Sequence, residues 1–332
     1  MLSAADASLL DEIVEIALTP GTPEERAAAL LEPLRRLTPS DALFITAFDP
    51  DSRMQTPLLR HGYTEAVSEA LDGPQFTADI EQAGLQGPRP PVRLVDLQFP
   101  VDRLPTWSEY LYPAGIREGL GAGLFTRDGR YLGVVNTSSA DARPATDEAR
   151  ALLHHAGPWI AHAIDPLRTV NAIAALVSDA VAGVALTRSG NTQPLTGLPG
   201  HDLLAPGTPL LATAAAHPAG SALAAFLCPA DPHGGLFRVS ILACPPHPPG
   251  HLTRVLLLSP APYPHGLTRT ELQILGHLVD DSPPTRLAPT AALPAHLASI
   301  TTKLNAVSHR AAAVLAHRRG AYIPPQLTPA AR

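Results

Sequence analysis

The stretch GAGLFTRDGRYLGVVNT, residues 121–137, decides the fold of the first half of the chain. Two apolar runs, Gly121–Thr126 and Tyr131–Thr137, flank the four residues Arg127–Asp128–Gly129–Arg130. The Asp-Gly pair supplies the positive φ that a tight turn between antiparallel strands requires. The stretch therefore predicts a β-hairpin.

Upstream of the hairpin, the sequence predicts two helices and a second hairpin. Apolar side chains recur at helical spacing over residues 9–18. Thr22 begins a capping box for a second helix, which we expect to end near Leu37. A buried strand at Asp41–Asp49 follows, with Met54–Arg60 as its hairpin partner.

The rest of this half is a loop-rich middle and a closing helix. Residues 72–91 are rich in Gly, Pro and Gln and predict a loop with one short helix. Val92–Leu97 is a candidate strand. Thr146 caps a helix whose apolar stripe continues to Ile164. This element order predicts an α+β domain with one antiparallel sheet.

Short apolar runs separated by Gly- and Pro-rich loops fill residues 170–264. In chain order, the runs are Ala182–Thr187, Ala222–Cys228, Leu236–Cys244 and Thr253–Ser259. The pattern predicts a small antiparallel β domain with little helix. Cys228 and Cys244 fall at opposite ends of neighbouring strands, so we expect two free thiols.

The C-terminal region carries three helical signals. Thr268 and Glu271 form a T-x-x-E capping box ahead of an apolar stripe. A second stripe covers residues 293–304, and a last helix at 311–319 precedes a glycine. Three short helices in this order predict a helix-turn-helix.

Composition and charge narrow the class of protein. Of the 332 residues, 45% are apolar and 16% charged, which excludes disorder over the whole chain. No apolar run reaches the roughly 18 residues that span a bilayer, and two cysteines are too few for a disulfide framework. We therefore expect a cytoplasmic protein with no membrane partner.

The two ends of the chain differ in charge. Residues 1–169 contain 14 arginines against 24 carboxylates, whereas residues 267–332 contain seven basic side chains against three carboxylates. An acidic body with a basic end is typical of a sensor that carries a nucleic-acid-binding appendage.

Residues 267–320 resemble the LuxR-type helix-turn-helix. The matching residues are Leu267–Thr268, Glu271–Leu272, Ile274–Leu275, His296–Ile300, Lys303–Leu304 and Val307–Arg310. Residues 8–165 are similar to GAF domains, above all at Tyr110–Ile116 and in the 121–137 hairpin. Residues 170–262 resemble a reduced PAS domain.

The resemblance implies an α+β, multidomain chain. Its parts are a GAF-like α/β sensor domain at 1–168, a small PAS-like antiparallel β domain at 169–264 and an all-α helix-turn-helix head at 265–332. The head is then expected to bind DNA, mainly through its phosphates. The candidate DNA-binding residues are Arg286, Thr290, His296, Ser299, Thr302, Lys303 and Arg310.

The head departs from the family pattern in one region. Between Asp281 and His296 it is about five residues shorter than the family's scaffold and turn. Pro294 also stands where the family has a lysine that faces DNA. An alternative hypothesis is therefore a degenerate head that binds protein, which makes the chain a signalling adaptor.

In the GAF-like part, four residues lie on the segment that walls the ligand cavity of this fold: Trp107, Tyr110, Tyr112 and Arg117. The resemblance implies a small-molecule effector there, while ordinary core filling is the alternative use of these aromatic rings. Residues 1–227 contain no cysteine, which excludes a thioether-linked chromophore in that part of the chain. We expect no cofactor and no metal.

The sequence contains no nucleophile elbow, P-loop or dinucleotide fingerprint, so we expect no enzyme activity. The leading hypothesis is a one-component transcriptional regulator that senses a signal and binds DNA. We expect it to act as a homodimer, because palindromic half-sites require a two-fold partner.

Overall fold

The computed structural model describes residues 3–217, 223–230, 235–261, 264–284 and 291–327. The chain forms two compact units. Unit 1 comprises residues 1–168 with 246–251, and unit 2 comprises residues 169–245 with 252–332. Both units combine helices with an antiparallel sheet, so the chain is of mixed α/β type.

Unit 1 is built on a five-stranded antiparallel sheet. Its strands are β1 (Ala42–Asp49), β2 (Met54–His61), β3 (Val92–Arg93), β4 (Glu118–Phe125) and β5 (Tyr131–Ser139), in the order β2-β1-β5-β4-β3. The predicted β-hairpin is confirmed as β4 and β5, with Ala122 opposite Val135. Gly129 has a φ of +86° in the turn, as the Asp-Gly pair predicted.

Four helices pack on one face of this sheet: α1 (Ala4–Leu18), α2 (Pro23–Ala29), α3 (Leu31–Leu37) and α6 (Asp147–Ile164). The predicted second helix is divided at Leu30. Pro33 explains the division, because it has no amide hydrogen for the carbonyl of Ala29 and its ring clashes with that carbonyl in a continuous helix.

The opposite face of the sheet is covered by α4 (Glu65–Asp72), α5 (Pro74–Gln82) and a π-helical turn at Thr106–Leu111. The candidate strand at residues 92–97 is wrong beyond its first two residues. A 3-10 turn at Leu94–Asp96 follows β3, and the Arg93 guanidinium bonds both carboxylate oxygens of Asp96 at 3.0 and 3.1 Å.

Unit 2 is built on a second five-stranded antiparallel sheet. Its strands are β6 (Ala182–Thr187), β7 (Thr192–Pro194), β8 (Leu223–Pro229), β9 (Leu236–Ala243) and β10 (Leu252–Ala261), in the order β7-β6-β10-β9-β8. This order repeats that of unit 1, strand for strand. Cys228 pairs with Phe237 at one end of the β8–β9 ladder and Cys244 follows its other end, so both thiols are free, as predicted.

The helices of the second half are α7 (Pro166–Ala174), α8 (Pro209–Ala216), α9 (Arg269–Val279), α10 (Leu293–Leu304) and α11 (His309–Arg319). Leu272 on α9, Ile300 on α10 and Ala316 on α11 belong to the same hydrophobic core as Phe226 and Leu256 of the sheet. The segments predicted as separate domains, 169–264 and 265–332, therefore share one core. No helix in the described ranges is long and apolar enough to cross a membrane.

Tyr322 and Ile323, which follow α11, connect α9 to the sheet through backbone hydrogen bonds. The Ile323 amide donates to the Leu272 carbonyl at 3.0 Å, and the Leu227 amide on β8 donates to the Tyr322 carbonyl at 2.8 Å. Gly276 makes this contact possible, because a Cβ at that position would overlap the Ile323 carbonyl. The last described residues are thus part of the fold of unit 2.

Candidate functional site

A cavity of about 60 Å³ lies between the sheet of unit 1 and the layer of α5 and the π-helical turn. Its walls are mostly apolar, with Phe44, Phe76, Ile80 and Val134 among them. Phe44 and Phe76 meet edge to face, with ring centroids 5.2 Å apart. Drug-sized ligands occupy cavities of roughly 300–1,000 Å³, so this cavity is too small for one.

Alternate glycines on β4 explain why the cavity is small. A Cβ at Gly119 would lie 2.9 Å from Cζ2 of Trp107, and a Cβ at Gly123 would overlap the Leu85 carbonyl. Without side chains on this face of β4, the Trp107 ring and the backbone at Leu85 approach the sheet directly. The space that the GAF resemblance assigned to a ligand is occupied by the protein itself.

The carboxylate at this cavity is already hydrogen-bonded within the protein. Asp79 is 5% exposed, and its Oδ2 accepts a hydrogen bond from the Thr106 amide at 2.8 Å. Its Oδ1 accepts from the side-chain amide of Gln75 at 2.9 Å. Asp79 therefore holds the start of the π-helical turn against α5.

The structure brings only one of the four predicted ligand-binding residues to this cavity. Trp107 lines it, and Leu111, four residues later, shares its buried face. Tyr110 is on the other side of the turn and is 41% exposed. The Tyr112 ring meets the Trp107 ring edge to face with centroids 6.0 Å apart, and the Arg117 guanidinium lies 5.8 Å from the centroid of the Tyr112 ring.

A larger groove of about 860 Å³ lies on the α1/α6 face of unit 1. It is bounded by α1, by the connection from α3 to β1, by the ends of β4 and β5 and by the N-terminus of α6. The groove is large enough for a small-molecule ligand. No local sequence pattern indicates this groove, because its residues come from five separate segments.

In unit 2, the predicted DNA-binding residues fall on two helices. His296, Ser299, Thr302 and Lys303 lie on α10 and Arg310 on α11, whereas Arg286 and Thr290 lie outside the described residues. Helix α10 begins at Leu293, so Pro294 occupies its first turn, where proline is tolerated.

Lys303, which is the only lysine in the sequence, has a different partner from the phosphate that the resemblance assigned to it. Its Nζ lies 3.0 Å from Oε1 and 2.8 Å from Oε2 of Glu271 on α9. The Glu271 side chain is 3% exposed. Burial raises the pKa of Glu271, but hydrogen bonds from Lys303, Ser299 and Thr268 outweigh burial and lower the pKa to about 2.

Lys303 is exposed on α10, but its charge is paired with Glu271. The other exposed residues of α10 are uncharged, namely Pro294, Ala295, Ala298 and Thr302, and the Thr302 hydroxyl donates to the Ala298 carbonyl at 2.9 Å. Cationic and titratable side chains are instead exposed on α11: His309, Arg310, His317, Arg318 and Arg319. The basic surface of the C-terminal helices is therefore on α11, and Arg310 is the predicted residue that belongs to it.

No family model matches the sequence, and no curated protein matches it. Among solved structures, the chain is similar to the GAF domain of a phosphoenolpyruvate-protein phosphotransferase from Coxiella burnetii, with 16% identity over 51% of this chain and 99% of that domain and a TM-score of 0.38. It is similar to a phycocyanobilin-bound GAF domain of a cyanobacterial phytochrome, with 19% identity over 49% of this chain and 95% of that one and a TM-score of 0.37.

A third similar structure is a bacteriophytochrome from the photosynthetic bacterium R. palustris. It shares 12% identity over 78% of this chain and 64% of its own, with a TM-score of 0.40.

Proposed function

We propose that this chain is a one-component regulator. Unit 1 binds a small-molecule effector in the groove of about 860 Å³ on its α1/α6 face, and the C-terminal helices of unit 2 bind DNA. The observation that carries the DNA part is the run of exposed basic side chains on α11.

The spacing of these side chains suits a nucleic-acid backbone. Arg310 and Arg318 are eight residues apart, which corresponds to about 12 Å along a helix. Phosphates follow each other about every 3.4 Å of axis along one strand of B-DNA, so α11 spans several of them. Helix α11 itself contains no Asp or Glu that would repel the phosphates.

The Glu271–Lys303 pair has a supporting role in this proposal. It joins the first turn of α9 to the last turn of α10, and α11 packs on both helices. Lys303 thereby positions the helices and contributes no free charge to the DNA surface.

A second candidate function, the signalling adaptor, is favoured by the uncharged residues that α10 exposes beside the paired Lys303. Val314 on α11 is 55% exposed and Val307 before it is 98% exposed, so the C-terminal helices also expose apolar groups. Such a surface suits a protein partner better than a phosphate backbone.

Fluorescence anisotropy with a labelled random-sequence duplex at about 50 mM salt separates the two functions, because phosphate-driven binding is strongest at low salt. A saturable rise in anisotropy supports the regulator. No rise at this salt concentration overturns DNA binding and leaves the adaptor. For the regulator, we expect a homodimer to be the species that binds, which light scattering on the complex checks.

A further inference from the structure

The floor of the groove combines apolar side chains with hydroxyl groups that have no partner. By register, Thr137 on β5 lies between Leu43 and Leu120, so its side chain shares the face of the sheet that packs against α1 and α6. Thr137 is 1% exposed and Thr38 is 8% exposed, and neither hydroxyl has a hydrogen-bond partner in the described part of the chain. The hydroxyl of Ser40, also in the groove, is in the same state.

Unpartnered buried hydroxyls are costly, since each forgoes the hydrogen bonds it would make in water. Three such hydroxyls around one groove indicate that a bound ligand supplies a polar group as their hydrogen-bond partner. The neighbouring leucines Leu9, Leu37, Leu120 and Leu152 provide an apolar bed beside them.

A buried carboxylate at the groove gives the charge of that polar group. Glu118 at the start of β4 is 5% exposed, and its Oε1 accepts hydrogen bonds from the amides of Leu94 and Gly119, both at 2.9 Å. Within the described ranges Glu118 has no ion pair. A buried carboxylate is stabilised by a cation that reaches it.

The rim of the groove has the same sign of charge. Asp6, Asp141 and Glu148 lie there with two arginines. Arg143 and Asp141 neutralise each other, and Arg36 pairs with Glu12, so the carboxylates of Asp6 and Glu148 are the remaining charges at this part of the described groove. The N-terminus of α6 also reaches the groove, but its dipole is met by the acidic side chains of its own first turn. The balance disfavours an anion and favours a cation.

We propose that the groove binds an amphipathic primary amine, with its ammonium group against Glu118 and the hydroxyls of Thr38 and Thr137 and its apolar part on the leucines. An ammonium group offers three donors, which suit a carboxylate and two hydroxyl oxygens. The proposal rests on the effector-binding role given to unit 1, and it names the chemical class of the effector.

Isothermal titration of the full chain with three unbranched six-carbon probes tests this class. The probes are n-hexylamine, 1-hexanol and hexanoate at pH 7, where the amine is protonated. We expect saturable binding of hexylamine with one site, about tenfold weaker binding of hexanol, and no binding of hexanoate. Hexanol that binds as tightly as hexylamine overturns the assignment of an amine, and no binding by any probe overturns the groove as a ligand site.

Two variants place the binding in the groove. Glu118→Gln keeps an Oε1 acceptor for the two amides and removes the charge, so we expect hexylamine to bind about tenfold more weakly and hexanol to be unaffected. Glu65→Gln, an exposed carboxylate on α4, makes the same charge change away from the groove and should alter nothing. Unchanged binding in Glu118→Gln contradicts the proposal.

Thr137→Val keeps the shape of the side chain and removes one hydroxyl. We expect it to weaken hexylamine severalfold, and it serves as the test if Glu118→Gln does not fold. Because these titrations contain no DNA, a failure here is distinct from a failure of DNA binding by α11.

Discussion

The ammonium of Lys303 lies 2.8 Å from Oε2 of Glu271, a carboxylate whose side chain is 3% exposed. The same carboxylate oxygen accepts a hydrogen bond from the Thr268 amide in the capping box of α9. One side chain thus caps its own helix and anchors the last turn of α10. The charge that the LuxR resemblance assigned to a DNA phosphate is neutralised within the protein.

The Glu271 pair makes stability depend on pH. The pKa of Glu271 is lowered from 4.5 to about 2 in the folded chain. The ionised carboxylate therefore contributes stability above pH 4.5, and this stability is lost as the pH falls towards 2. We expect Glu271→Gln to lower the free energy of unfolding by about 3 kcal/mol at neutral pH, with the difference shrinking below pH 4.5. Urea unfolding at several pH values measures this, and a difference that is independent of pH contradicts it.

Lys303→Ala separates a structural role from a role in DNA binding. It leaves Glu271 buried without its cation, and since the Lys303 side chain is 31% exposed and partly screened by water, we expect a loss of about 2 kcal/mol in unfolding free energy. DNA affinity measured well below the melting temperature should change far less than in Arg310→Ala. A larger loss of affinity in Lys303→Ala than in Arg310→Ala contradicts this assignment.

Alanine substitutions at Gly119 and at Gly157 should change the free energy of unfolding in opposite directions. At Gly119 the new Cβ would lie 2.9 Å from the Trp107 ring, so we expect Gly119→Ala to cost about 1–3 kcal/mol. At Gly157, inside α6, a Cβ meets nothing within 4 Å, and alanine should stabilise by about 0.5–1 kcal/mol. Thermal unfolding with Trp fluorescence measures both, and equal effects would contradict the packing of Trp107 on β4.

Elements with strong local signals were predictable from the sequence. The Asp-Gly turn fixed the β4–β5 hairpin, and the capping residues Thr146 and Thr268 fixed the starts of α6 and α9. Helix α4 was missed although Thr64 caps it, because its eight residues sit next to a Gly- and Pro-rich stretch. Helix α8, capped by Thr208, was missed for a similar reason.

The candidate sites were less predictable, because they depend on long-range packing. The sequence places Trp107 in the right segment, but only the three-dimensional approach of that ring to Gly119 shows that the cavity is filled. The partnership of Lys303 with Glu271 joins residues 32 positions apart. Neither periodicity nor capping rules specify such a contact.

Thr137→Val tests the unpartnered hydroxyls directly. Removing a buried hydroxyl that has no partner removes its desolvation cost, and valine keeps the β-branched shape that a strand favours. We expect the free energy of unfolding to rise by about 1 kcal/mol, measured by urea unfolding without any amine present. Thr46→Val is the matched control, since the Thr46 hydroxyl donates to Gln55 at 2.7 Å and its loss should destabilise. Destabilisation by Thr137→Val would show that the hydroxyl has a partner.

The central claim, that α11 contacts DNA phosphates, is tested most directly by the salt dependence of duplex binding. Each phosphate contact contributes about 0.9 to the slope of log K against log salt, so we expect Arg310→Ala and Arg318→Ala each to lower the slope by about one. Arg143→Ala, an exposed arginine of unit 1 with an 88% exposed side chain, should leave the slope unchanged. Equal slopes in all four proteins, or no binding at about 50 mM salt, would contradict the account.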